Sequence, residues 1–179
     1  MSDLKLFVPE ALDASAESAS YSGELELPTY EQGGIEFRFP EPLTWHLTIT
    51  NTSEAFLVMG QVSGLGSCDC VRCLEEAPVA VEGDIEGYFV LPGHEPDEQD
   101  EDAEDYELFP ADRTIDLEPL LLTAVSLSLP FNPVCSDDCK GLCSKCGENL
   151  NEGPCSCDPE DDVDETNPFA VLRNLSFED

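Results

Sequence analysis

Positive charge is what this chain has least of: seven lysines and arginines stand against 40 aspartates and glutamates, a formal net charge of −33. Such a surface repels phosphate backbones, because nucleic-acid affinity rests on basic side chains displacing counterions. A basic protein is the partner it selects, although solubility or a saline cytoplasm would account for the acidity equally well. Long apolar runs are also missing. None approaches the roughly 20 residues a bilayer-spanning helix requires. The start, Met1-Ser-Asp-Leu-Lys5, has neither the basic nor the apolar region of a signal peptide. The expectation is therefore a cytoplasmic protein whose thiols stay reduced.

Signs of catalysis are equally sparse. The two histidines, His46 on the polar face of a strand pattern and His94 in a Pro/Gly loop, have no serine or cysteine nucleophile beside them. Gly60-Gln-Val-Ser-Gly64-Leu-Gly66 is followed by no Gly-Lys-Ser and opens no helical pattern, so it is not a phosphate loop. Carboxylates are too numerous for any pair to stand out as acid and base. The reading is of a protein that is not an enzyme.

What is abundant is cysteine. Residues 135–157 hold six thiols, at Cys135, Cys139, Cys143, Cys146, Cys155 and Cys157, and a second group is Cys68, Cys70 and Cys73. In a reducing compartment such clusters are metal ligands before they are disulfides. A Cys-x-x-Cys-Gly turn aims backbone amides at sulfur, and four thiolates close a tetrahedral shell around zinc. The simplest partition gives Cys143, Cys146, Cys155 and Cys157 one ion. Cys135 and Cys139 then need two more thiolates, and Cys70 and Cys73 supply them. Two closed shells imply two structural Zn²⁺ ions with no open catalytic position, an iron-sulfur cluster being the competing cofactor. Cys68 is left over. Its place beside Cys70 raises a second functional reading, a redox-sensing zinc-thiolate protein.

The chain of 179 residues admits one domain of ordinary size, or a small one plus a metal module. Period-two alternation predicts strands at Leu4 to Val8, Gly23 to Leu27, Ile35 to Phe39, Leu43 to Thr50, Ala55 to Val62 with Gly60 as a bulge, and Pro78 to Leu91. Nine carboxylates between Glu95 and Glu107 predict a solvated loop. Leu117, Leu120, Leu121, Ala124 and Val125 fall at helical spacing, with Asp116 as N-cap and Pro130 beyond the end. The expected fold class is α+β: a mainly antiparallel, partly closed sheet, one principal helix and a cysteine-rich zinc module. Residues 1–134 form the β-rich domain, with its helix at 116–128 and acidic loop at 95–107. Residues 135–157 form the zinc module, and 158–179 an acidic linker and a short apolar element at Asn167 to Leu175.

Taken in order, Cys70-Val-Arg-Cys73-Leu-Glu, Ile115-Asp-Leu, Leu127-Ser-Leu129-Pro130, Cys139-Lys-Gly-Leu-Cys143-Ser-Lys-Cys146-Gly-Glu-Asn-Leu-Asn151, Cys155-Ser-Cys157 and Asn167-Pro-Phe-Ala-Val-Leu resemble the bacterial YceD family, the large ribosomal RNA subunit accumulation proteins. The resemblance implies a cytosolic, non-enzymatic protein supporting accumulation of large-subunit ribosomal RNA, hence ribosome assembly. Charge adds the expectation that it works through a basic ribosomal protein or assembly factor, leaving direct RNA contact and oligomeric state open. Arg72, Lys140 and Lys145, close to the cysteines, are read as offsetting thiolate charge.

Overall fold

The computed structural model describes residues 4–95 and 106–157. Most of the acidic stretch 95–107, the acidic linker and the apolar element at Asn167 to Leu175 lie outside the described residues.

The centre of the molecule is one long hairpin. Strands β6 (Ala55–Asp69) and β7 (Glu76–Val90) pair antiparallel without a break from Ala55 opposite Val90 to Asp69 opposite Glu76. Gly60 sits in register with both Leu47 and Ile85, so there is no bulge there. On its other edge β6 pairs with β5 (Leu43–Asn51) and, at Ser67, with β4 (Ile35–Arg38). β2 (Ser18–Leu25) lies outside β5, and β3 (Thr29–Gln32) outside β4. β8 (Glu107–Leu108) adds to the far end of β7 as the one parallel pairing among the described residues.

The sheet is mostly antiparallel, as the alternation predicts, but it is open rather than partly closed. β1 (Lys5–Phe7) and β9 (Thr114–Asp116) pair, among the described residues, only with each other. Their ladder does a different job. With Leu117 N donating to Leu4 O at 2.9 Å, it ties the start of the chain to the helix entrance.

Alternation decides which face is inside. Leu43, Trp45, Leu47 and Ile49 of β5 and Ala77, Val79, Val81 and Ile85 of β7 are buried, while Thr44, His46, Glu82 and Asp84 between them are exposed. Helix α1 (Glu118–Ser128) covers the inner face with Leu121, Ala124 and Val125. Fully burying an aliphatic side chain of that size contributes roughly 1.5–3 kcal/mol. The helix starts two residues later than Asp116, whose carboxylate still accepts the Glu118 amide at 3.0 Å. Pro119 in the first turn sacrifices no intrahelical hydrogen bond. Gly83 permits the close packing of helix on strand, since a Cβ there would lie 2.3 Å from the Ala124 carbonyl oxygen. After Ser128 the chain turns back toward the hairpin tip, where the thiols collect.

Candidate metal centres

The turn of the long hairpin, residues 70–75, holds the first two thiols. It is closed by Cys70 N donating to Glu75 O at 2.8 Å and Leu74 N to Cys70 O at 2.9 Å, with Leu74 at φ +63°. The segment after α1 docks beside it, Val71 N donating to Pro133 O at 3.0 Å and Leu142 N to Arg72 O at 3.1 Å. Gly141, at φ +74°, makes the second contact possible because a Cβ there would press on the Arg72 carbonyl at 3.1 Å. These contacts bring Cys135 and Cys139 onto Cys70 and Cys73.

The eight predicted thiols form two groups, Cys70 with Cys73, Cys135 and Cys139, and Cys143 with Cys146, Cys155 and Cys157. Within each group all sulfurs lie within 4.8 Å of one another. Closest approaches are 3.8 Å for Cys70–Cys139, 3.5 Å for Cys73–Cys135 and 3.5 Å for Cys143–Cys155. Four sulfurs about 2.3 Å from a central ion have edges of about 3.8 Å, so both groups have the dimensions of a tetrahedral thiolate shell. Each can hold a metal ion.

The two groups differ in setting. Cys70, Cys73 and Cys139 are buried and continuous with the hydrophobic core, and Cys135 is half-buried. In the second group Cys146 is exposed and the others half-buried. That group is a short knuckle: Cys143 N donates to Glu148 O at 2.8 Å, Gly147 N returns to Cys143 O at 2.9 Å, and Leu142 bridges to Asn149. Gly147 takes the positive φ of +76° that the turn requires.

Crowding sets the acidities. Burial opposes ionisation of Cys70, but the amides of Cys73, Arg72 and Cys135 outweigh it and bring the thiol down to about 6. The Glu75 amide pulls Cys73 down; burial and hydrogen bonds with Cys135, Cys70 and Cys139 prevail and push it up to about 12. In the second group the amides of Cys146 and Lys145 lower Cys143 to about 6, while hydrogen bonding with Cys146 and burial raise Cys157 to about 12. Sulfurs this close cannot all ionise against one another unless a cation sits among them.

Asn151 joins the two groups, and the sequence reading did not single it out as a site residue. It belongs to the second knuckle, yet its Nδ2 donates to Cys139 Sγ at 3.4 Å and its Oδ1 accepts the Lys140 amide at 2.7 Å. That hydrogen bond is the main reason the Cys139 thiol is lowered. Arg72 is fixed beside the first group, its Nη1 donating to the carbonyls of Cys139 at 3.1 Å and Asp137 at 3.4 Å. Cys68 is fully buried in the core outside both groups, and burial pushes its thiol up. A sensing thiol needs exposure and thiolate character, and Cys68 has neither.

Comparison with known proteins places this arrangement. Residues 58–176 match the family model described as Large ribosomal RNA subunit accumulation protein YceD, a span that contains all but the first three residues of the long hairpin, α1 and all eight clustered thiols. An uncharacterized protein of Mycobacterium tuberculosis is 37% identical over 130 residues, covering 73% of this chain and 58% of the relative. One from Mycobacterium leprae is 35% identical over 141 residues, 78% of this chain and 60% of its own. The maize protein named Large ribosomal RNA subunit accumulation protein YCED homolog 1, chloroplastic is 27% identical over 174 residues, 82% of this chain and 59% of its own. The match thus spans about three fifths of these relatives' length. No solved structure matches. Among the described residues no helix is long and apolar enough to cross a membrane.

Proposed function

The chain belongs to the YceD family, and from that premise we propose that it is a non-catalytic accessory factor in ribosome assembly. It supports accumulation of large-subunit ribosomal RNA by holding a basic ribosomal protein or assembly factor. The observation that carries the ribosomal part is the family match over residues 58–176, reinforced by the names of the plant relatives. The partner class rests on charge, −33 over 179 residues. Binding a basic segment before it meets RNA would keep that segment from premature contact with phosphate.

The two thiol groups hold structural zinc ions on this reading. Zinc suits four sulfurs at tetrahedral spacing, and a closed shell contributes folding free energy rather than chemistry. The buried group links the hairpin tip to the chain beyond α1. The exposed one fixes the knuckle that presents Asn151 to Cys139.

Depletion of the protein followed by sedimentation of ribosomal particles tests the function: large-subunit particles and their RNA should fall relative to the small subunit. An unchanged ratio would refute the ribosomal role. Elemental analysis of the purified chain should give two zinc ions, and a sulfide-containing iron chromophore would refute the zinc assignment.

A further inference from the structure

One edge of the long hairpin is mostly unpaired among the described residues. β7 is laddered to β6 along its whole length, but on its other side it meets only β8, at Phe89 and Val90. From Glu76 to Tyr88 that edge has no ladder partner among the described residues. Phe109 N donates to Val90 O at 2.9 Å, so the backbone groups of Val90 point to the outer edge. The two-residue period of a strand then points those of Tyr88, Glu86, Asp84 and Glu82 the same way, because the register runs without a bulge.

This edge runs along a groove. Two adjoining cavities of about 480 and 750 Å³ share Glu86 and Leu120 as lining. On the helix side Leu120, Thr123 and Leu127 line the groove, a stripe at helical spacing that leaves Leu127 81% exposed. On the outer face Met59 and Tyr88 are half exposed. Every charged residue in the lining is acidic, Glu82, Asp84, Glu86 and Glu107, and neither cavity is lined by a lysine or arginine.

The geometry points to this groove as the docking site for an extended segment of a basic protein, which adds as a strand to β7 between Glu82 and Tyr88. Its alternate side chains are lysine or arginine against the carboxylates on the outer face, and apolar against Leu120 and Leu127 on the helix side. Main-chain pairing supplies affinity, and the alternation supplies specificity. Charge decides among occupants. A second copy would bring Glu82, Asp84 and Glu86 against the same residues, and inward or flanking charges are how edges avoid self-pairing. RNA phosphate meets the same repulsion. The biological identity of the segment as part of a ribosomal protein or assembly factor rests on the function proposed above; the groove itself does not.

The test uses the full-length chain and a synthetic twelve-residue peptide alternating lysine with valine or leucine, measured by fluorescence anisotropy and by amide hydrogen exchange. Binding should weaken with salt, protect the amides of Asp84, Glu86 and Tyr88, and fall at least tenfold in Asp84→Pro. That variant removes an outward N–H without removing a bond to β6, which edge strands tolerate. A second variant, Glu82→Lys with Glu86→Lys, alters exposed side chains alone and should transfer preference to the peptide with glutamate in place of lysine. Four outcomes overturn the proposal: equal binding of a peptide with its lysines and apolar residues in separate blocks, preference for an RNA oligomer, self-association of the chain, or protection of the β7 amides without any peptide. Peptide binding lost in Asp84→Pro, with ribosomal RNA accumulation intact in cells carrying that variant, would keep the groove and remove the function reading. An accumulation defect with no peptide binding would do the reverse.

Discussion

Replacing one thiol in each metal group separates the clasp from the knuckle. Cys73 and Cys135 are 62 residues apart in sequence, so an ion shared between them closes a loop that includes β7, β8, β9 and α1. Closing a loop of that length removes denatured-state entropy worth about 4 kcal/mol. Cys143 and Cys155 are 12 apart, and the same relation gives about 3 kcal/mol. The energies are similar; what each loop contains is not. The first spans elements of the core, so its stabilisation applies to global unfolding. The second encloses only the knuckle, which can open while the sheet stays folded. For a domain of this size about 4 kcal/mol corresponds to a melting shift of roughly 8–16 °C. Cys73→Ser should therefore lower the calorimetric Tm by that amount. Cys157→Ser should leave the main transition within about 3 °C and instead raise amide exchange across residues 141–157. Chelator should reproduce the Cys73→Ser melt in the wild-type chain. Equal shifts in both variants, or a larger shift in Cys157→Ser, would refute the division into clasp and knuckle.

Asn151→Ala should release the metal of the buried group about tenfold faster, because outer-shell hydrogen bonds tune affinity on that scale; a chromophoric chelator follows the rate, and an unchanged rate would show that the contact with Cys139 is incidental. Gly83→Ala places a methyl 2.3 Å from the Ala124 carbonyl, a backbone clash that should cost about 1–3 kcal/mol in urea unfolding. Asn51, buried with Nδ2 donating to the Leu12 and Asp13 carbonyls and Oδ1 accepting the Ser53 amide, should lose about 2–3 kcal/mol on replacement by alanine in the same assay. Mild peroxide should release one equivalent of metal before the other, with mass spectrometry finding oxidation first at Cys146, the exposed ligand. Release of both together would contradict the difference in burial.

Much of the sheet was legible where a strand is one-sided, as β5 is. Leu43, Trp45, Leu47 and Ile49 alternate with polar residues since one face of β5 meets the core and the other meets water. The pattern failed where burial is not carried by large side chains. β6 continues seven residues past Val62, where the predicted strand ends, to Asp69 through Ser63, Gly64, Gly66 and Ser67. The space at Gly66 is filled from outside the strand, by the Phe39 ring, which a Cβ would approach to 2.5 Å. Ser18 to Ser22 offers only Ala19 and Tyr21, half-buried against the core, among its serines, too weak an alternation to read, and β5 supplies the edge that makes it a strand. The same limit concealed the sheet's openness, since period two says which residues face inward and nothing about which strands meet. The thiols were different. Spacing and count left few ways to divide eight ligands between two shells, and the grouping by distance is the one that arithmetic favours. Asn151 carried no such arithmetic, because an asparagine in a loop is ordinarily a turn former.

The scarcity of positive charge has a structural sequel that bears on the proposed partner. Each of the three arginines among the described residues is engaged within the fold. Arg38 pairs with Asp69 at 2.6 Å. Arg72 holds the carbonyls of Asp137 and Cys139. Arg113 binds Asp13 at 2.6 Å and the carbonyls of Val8 and Pro9 at the β1–β9 ladder. Filling both thiol groups with divalent ions would deepen the imbalance, because a divalent ion in four thiolates leaves each site with two negative charges. Arginine is the residue best suited to bidentate phosphate recognition, and here its guanidinium groups are committed to carboxylates and backbone. On the function proposed above, a chain that holds its arginines this way would grip the basic proteins that coat RNA in preference to the RNA itself. The open acidic edge of β7 is where such a grip would be built.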